Sequence, residues 1–266
     1  MKLKEVLIVY TIPRTKEQKV SLEHVKKILK KHEIGFELAN RDELNKLKSR
    51  FENKSLIIAV GGDGTFLRAA QFVTSVPVLG VNADVKNKEG FLMRSSKTDF
   101  EAKLKRISKG DFKIRKLARL KAYIKGKKLP VYALNEFFIG PKKAYHAAKY
   151  ELTVKGRTEV HKSSGVIVAT ATGSHAWAKA CRGKVLDLGS GNFQYVVREP
   201  FEGKVFRGYR LKSGVLNHKE VLKIKSEMLD GVIIADSVGK EYDFKDKSRA
   251  KIKLSKNPVK QVYFED

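Results

Sequence analysis

The stretch "LIIAVGGDGTFLRAAQFV", Leu56 to Val73, decides how the rest of the chain is read. Leu56 to Val60 form a short apolar run of buried-strand type. Gly61, Gly62, Asp63, Gly64 and Thr65 follow, and Thr65 to Val73 reads as a helix. An ordinary strand-to-helix turn needs one glycine at most, so three indicate a backbone brought very close to something else. Free N–H groups at the start of a helix favour an anion, which makes a phosphate or a ribose the expected neighbour. A carboxylate there repels a phosphate unless it meets Mg²⁺ or takes a proton from a hydroxyl nucleophile. Asp63 is therefore a candidate base or metal-associated residue. An aspartate that binds its own turn backbone explains the same residue equally well, and the loop alone leaves both open. The lysine-bearing P-loop pattern is absent from this loop, and no G-x-G-x-x-G opens the chain.

Working outward, strand and helix signals alternate over residues 1–110. "VLIVY" (Val6 to Tyr10), "IGFEL" (Ile34 to Leu38) and "VPVLGVN" (Val76 to Asn82) read as strands. Thr15 to Gln18 and Thr98 to Glu101 have capping-box spacing, each followed by apolar residues at helical intervals, and Gly110 stands where a helix ends. This alternation predicts an α/β N-terminal domain with a parallel sheet. Over residues 111–266 the texture becomes β-rich, with turns at Lys125-Gly126 and Lys155-Gly156, predicting an all-β C-terminal domain.

The 266 residues are 42% hydrophobic and 32% charged, a globular composition. No apolar run approaches the roughly 20 residues of a membrane helix, and the N-terminus reads as a strand, so a cytoplasmic protein is expected. The single cysteine, Cys181, excludes an internal disulfide and a cysteine-based zinc site. The net charge of +27 suits anionic partners, but the lysines are spread along the whole chain, and a solvated basic surface accounts for them.

Two further stretches carry chemistry. In "ALNEFFIG" (Ala133 to Gly140), Asn135 and Glu136 interrupt an apolar strand and need partners there, from neighbouring backbone or from ligand hydroxyls. In "SSGVIVATATGSHAWAKACRG" (Ser163 to Gly183), a buried strand runs into Thr172, Gly173 and Ser174 and then an Ala-rich helix containing Trp177. Small hydroxyl residues before a helix suit phosphate or ribose, and a tryptophan can stack a base. Ser174 as an N-cap, Trp177 as core and His175 as a surface residue are the alternatives for each taken singly.

"GGDGT", "NE" and "TGSHAW", in that order, resemble the NAD kinase family over nearly the whole chain. The likeness extends to "GVN" (Gly80 to Asn82), "GFL" (Gly90 to Leu92) and the closing segment Ile233 to Val262. Lipid kinases share versions of the first motif but place Asn-Glu just after it, whereas here Asn135-Glu136 comes about seventy residues later. The resemblance implies an NAD kinase/diacylglycerol kinase-like fold, with the extreme C-terminus packing back on the first domain. It implies phosphorylation of the 2′-hydroxyl of the adenosine ribose of NAD, with ATP or polyphosphate as donor and Mg²⁺ carried mainly on the donor phosphates. Asp63 would activate that hydroxyl, while Gly61, Gly62, Gly64 and Thr65 shape the place where donor and substrate meet, with Asn82 near the substrate. Asn135 and Glu136 would hold hydroxyls and the adenine side of NAD. Thr172, Ser174, His175, Ala176 and Trp177 would line the nicotinamide and adenine pockets, and Lys162 is the lysine offered for neutralising phosphate. A homo-oligomer, dimer or tetramer, is implied, and neither a membrane nor a nucleic acid partner is expected.

The chain departs from the common pattern at "TATGSHAW", at "ACRGK" (Ala180 to Lys184) and in extra residues between Asn82 and Gly90. These features resemble the divergent, mitochondrial-type branch of the family. They also support the rival readings: a catalytically silent nucleotide binder on the same fold, or, from the charge, a basic nucleic-acid-associated protein.

Overall fold

The computed structural model describes residues 3–265. The chain forms two compact units, one running to Lys116 and resuming at Val259, the other Leu117–Pro258. In the first lie β1 (Glu5–Tyr10), α1 (Lys16–Lys31), β2 (Gly35–Asn40), β3 (Leu56–Gly61), α2 (Asp63–Phe72), β4 (Val78–Asn82), β5 (Ser95–Ser96), α3 (Phe100–Lys109) and β6 (Lys113–Leu117). The second holds β7 (Leu120–Ile124), β8 (Lys127–Ala133), β9 (Glu136–Pro141), β10 (Ala148–Val154), β11 (Arg157–Ser163) and β12 (Val166–Thr170). It continues with α4 (Trp177–Ala180), β13 (Phe193–Val197), β14 (Ser213–Leu216), β15 (Leu222–Ser226), β16 (Gly231–Ala235), β17 (Tyr242–Asp243) and β18 (Arg249–Leu254). β19 (Val259–Tyr263) returns to the first unit.

In the first unit the sheet order is β2-β1-β3-β4-β19-β6, with β5 beside β4. β1, β2, β3, β4, β5 and β19 pair in parallel. All six residues of β3 are buried, as expected of a central strand covered on both faces. Leu22, Val25 and Leu29 of α1 and Phe100, Leu104 and Ile107 of α3 pack on Val6, Ile8, Ile58, Val60, Leu79 and Val81. Thr15 caps α1 by accepting the Gln18 N–H at 3.2 Å. The second capping-box expectation shifts by one residue: α3 begins after Asp99 rather than Thr98. Asp99 turns its carboxylate to the Ser96 N–H (2.7 Å), the Ser95 hydroxyl (2.8 Å) and Lys103 (2.7 Å), fixing the turn that α3 leaves. Gly110 ends α3 with φ +82°.

The second unit is a sandwich of two six-stranded sheets, β11-β10-β15-β18-β7-β8 and β14-β13-β12-β9-β16-β17. Their inner faces share one core, with Tyr150, Leu152, Ile224 and Ile252 meeting Phe137, Val168, Phe193 and Ile233. Lys125-Gly126 and Lys155-Gly156 are hairpin turns with positive φ at both residues, joining β7 to β8 and β10 to β11. On β12 the alternate residues Ile167 and Ala169 face outward, against Ala178 and the partly buried Phe138 and Trp177. The Ala-rich helix expected after Ser174 is cut to the four residues of α4. The chain turns away through Arg182 (φ +63°), and Gly183 passes so close that a Cβ would lie 2.8 Å from the Ala178 carbonyl oxygen.

Candidate functional site

Gly62 is the N-cap of α2 and Asp63 its first residue, at the carboxyl end of β3. The glycines answer to particular neighbours. A Cβ on Gly61 would lie 2.2 Å from the Thr65 Oγ1, because the buried Thr65 side chain folds back over the turn. A Cβ on Gly62 would lie 2.8 Å from Cδ of Lys88, whose side chain crosses that glycine. Near Gly64 stands Arg41, whose Nη1 donates to the Thr65 hydroxyl at 3.3 Å. Sequence reasoning missed both basic residues, since each reaches the turn only after the parallel sheet has formed.

Asp63 is partly buried and does not bind its own turn. Oδ1 accepts the Leu92 N–H at 2.7 Å and Oδ2 the Phe91 N–H at 3.1 Å. These two amides orient the carboxylate and leave each oxygen one further lone pair. β3 and β4 place Asn82 opposite Gly61. Asn82 shapes the loop that follows it: Nδ2 donates to the Lys88 carbonyl at 3.2 Å and Oδ1 accepts the Asp84 N–H at 3.0 Å. Asn82, Gly90, Arg94, Ser95 and Ser96 help line a cavity of about 340 Å³. Burial, and then the neighbouring Arg115, hold the Arg94 guanidinium below its ordinary value, while the Asp63 charge opposes them.

The other residues singled out from sequence lie in the second unit. Asp236, which no local pattern marks, organises Asn135 and Glu136. Its carboxylate accepts the N–H groups of Leu134 (3.0 Å), Asn135 (2.7 Å) and Glu136 (3.3 Å), and its own N–H donates to the Glu136 carbonyl at 2.8 Å. Glu136 is buried, its Oε2 without a hydrogen-bond partner and its Oε1 accepting the Ser237 hydroxyl at 3.4 Å. Burial first, and then the charge of Asp236, push its carboxyl up to about 8. Such a group is a proton-bearing acid at neutral pH, with one buried oxygen that no protein group satisfies.

Gly173 packs against Asn135 so tightly that a Cβ would sit 2.1 Å from the Asn135 carbonyl oxygen. Thr170 ties the same strands, donating its hydroxyl to the Leu134 carbonyl (2.6 Å) and accepting the Gly173 N–H (3.1 Å). Asn135, Glu136, Thr172, Gly173 and Ser174 thus belong to one set of linked loops. The Ser174 hydroxyl is engaged inside it, donating to the Ala171 carbonyl at 2.6 Å and accepting the Leu186 N–H at 2.9 Å. Thr172 is buried and His175 exposed; Ala176 joins the turn to α4. Trp177, half-buried, stacks on Phe138 with ring centroids 5.3 Å apart, and the Arg198 guanidinium lies 5.0 Å from its ring. Lys162 lies on β11, its ammonium 4.8 Å over the Phe201 ring and its N–H donating to the Tyr209 hydroxyl.

A glycine turn leaving a parallel strand, carrying an oriented carboxylate and flanked by basic side chains, defines a nucleotide- or phosphate-handling protein. The comparisons with known proteins are more specific. The family model for the ATP-NAD kinase N-terminal domain matches residues 4–112. An NAD kinase of Clostridium tetani is 30% identical over 209 residues, 77% of this chain and 72% of that protein. A probable NADH kinase of Oryza sativa is 29% identical over 213 residues, covering 72% of this chain and 65% of that protein. The crystal structure of an NAD kinase from Archaeoglobus fulgidus in complex with ATP superposes with a TM-score of 0.76 at 26% identity, covering 98% of this chain and 93% of the other. The chain belongs to the NAD kinase family. The fold is also that of yeast NADH kinase complexed with NADH, at a TM-score of 0.80 and 17% identity, over 99% of this chain and 84% of that one. Membership favours phosphorylation of NAD over both the silent nucleotide binder and the nucleic-acid-associated protein.

Proposed function

We propose that this chain transfers the terminal phosphoryl group of ATP to the 2′-hydroxyl of the adenosine ribose of NAD, giving NADP. The observation that carries the reading is the Asp63 carboxylate, set at the end of β3 and oriented by the N–H groups of Phe91 and Leu92. Asp63 accepts the hydroxyl proton as the ribose oxygen attacks the terminal phosphorus, and the bond to the bridging oxygen breaks to release ADP. Little covalent work falls to the protein in such a transfer, which rests on alignment and on neutralising charge. Asn135, Glu136, Thr172, Ser174, His175, Ala176 and Trp177 are assigned to NAD. The unpartnered Glu136 Oε2 suits a ligand hydroxyl or amine, and the exposed part of Trp177 suits a base.

Among the described residues no group of three or more His, Cys, Asp or Glu side chains is placed to hold a metal, and both Asp63 oxygens already accept N–H groups. A divalent cation is proposed to arrive mainly on the donor phosphates, where the remaining lone pairs of the Asp63 carboxylate can also meet it. Polyphosphate is the alternative donor. No helix among the described residues is long and apolar enough to cross a membrane, and a cytoplasmic homo-oligomer, dimer or tetramer, completes the reading.

The test is NADP formation from NAD, Mg²⁺ and ATP, followed with an NADP-specific dehydrogenase. Asp63→Asn is expected to lose roughly 10²- to 10⁴-fold in rate, as for removal of a general base. Far-ultraviolet circular dichroism of the variant should match wild type. A variant with normal turnover sinks the role given to Asp63.

A further inference from the structure

The residues between Asn82 and Gly90, which exceed the common family pattern, give this chain a basic group on its glycine turn. We propose that Lys88, carried by this loop, binds the terminal phosphates of the phosphoryl donor. The inference rests on the function proposed above.

Four observations converge on Lys88. The loop is held in one shape: Asn82 binds the Lys88 carbonyl at 3.2 Å, and Asn87 donates to the buried Asp84 carboxylate at 3.0 Å. Gly90, with φ +68°, closes it so tightly that a Cβ would lie 2.5 Å from Asn82 Nδ2. The Lys88 side chain then lies across Gly62, with Cδ 2.8 Å and Nζ 3.5 Å from where a Cβ would stand. A side chain at position 62 would push the lysine off the turn, so Gly62 is what lets the ammonium approach it. Of the other basic groups nearby, Arg41 donates to Thr65 and lies 3.6 Å from Asp42, its Nε otherwise unpartnered, and Arg94 donates to the Met93 carbonyl; neither side chain crosses Gly62 as Lys88 does. No salt bridge or hydrogen bond is made by the Lys88 ammonium among the described residues.

A long flexible cation loses side-chain entropy when ordered, and here no carboxylate returns that loss. It stands instead beside the free N–H groups of a helix start, a second region of positive potential. A polyanion seated on the turn satisfies both at once, as a point charge against phosphate oxygens. The lysine that a P-loop carries within its own motif is thus supplied here from a neighbouring loop.

The test compares wild type with Lys88→Met, which keeps the length and packing of the side chain, Lys88→Arg, which restores the charge, and Lys86→Met. Lys86 is exposed on the same loop and controls for the loss of one charge. In steady-state kinetics Lys88→Met should raise the KM for ATP about 10- to 100-fold, the range for losing a charge-assisted hydrogen bond. The KM for NAD should stay within about twofold of wild type, Lys88→Arg should recover much of the loss, and Lys86→Met should behave as wild type. An unchanged ATP KM in Lys88→Met, or equal losses in the two Met variants, overturns the assignment. Calorimetric titration with inorganic tripolyphosphate asks the same question without turnover. If wild type makes no NADP, the proposed reaction fails, and the titration still decides the role of Lys88. Weaker binding in Lys88→Met than in wild type and Lys86→Met upholds it; equal or absent binding in all three overturns it.

Discussion

Glu136 shows how one buried residue ties stability to pH. Its ordinary value is 4.5 and the folded protein raises it to about 8, chiefly by burial and then by the Asp236 charge. Between those values the folded state keeps a proton that the unfolded chain has released. Rising pH therefore lowers stability across this window, and the loss is complete above about 8. Glu136→Gln keeps the shape and removes the titration. The variant's melting temperature relative to wild type should climb steadily from pH 5 to pH 8.5, measured by differential scanning calorimetry without ligand. A difference that is flat with pH would show that the site does not hold the proton. The same variant should bind NAD more weakly if Glu136 Oε2 meets the ligand.

At the scale of elements, legibility depended on how far away a residue's partner lay. Thr15 was readable as a cap because Gln18 is three residues on, and the Lys125-Gly126 and Lys155-Gly156 turns because their strain is local. The boundary near Thr98 moved because Asp99 answers to Ser95, Ser96 and Lys103 together. The helix holding Trp177 stopped early because Gly183 must pass the Ala178 carbonyl. The motifs that named the family were visible as runs of sequence, whereas Lys88, Arg41 and Asp236 were not. Asp236 holds the Asn135–Glu136 segment from about a hundred positions away, and no spacing rule joins them. That segment and the turn at Gly173 behave as one element. In Gly173→Ala the new methyl would lie 2.1 Å from a backbone oxygen that has no flexible side chain to yield. The expected cost is about 3 kcal/mol in urea unfolding, at the upper end for overpacking, with loss of NAD binding. Wild-type stability in this variant would mean that the two strands separate easily.

Over the whole molecule, 56 basic residues face 29 acidic ones, so even complete pairing leaves 27 cations over. The strand register shows where some of that excess meets itself. On the outer face of one sheet of the sandwich, Lys223 stands directly opposite Lys251, Lys225 opposite Arg249, and Lys121 opposite Lys253. Like charges paired across strands are destabilising. Lys225 is relieved by Glu151 at 2.6 Å, while Lys223 and Lys251 are both exposed. Lys251→Glu turns one repulsive pair into an attractive one and leaves the buried Ala250 and Ile252 on either side untouched. The gain expected in urea unfolding at 20 mM NaCl is on the order of 0.5 kcal/mol. It should shrink at 0.5 M NaCl, where the screening length falls to a few ångströms, and wild type itself should gain stability from the added salt. A gain that is absent at low salt, or equal at both concentrations, would mean that the lysine rows are too well solvated to feel each other. The surplus charge would then act on approaching anions without acting on the fold.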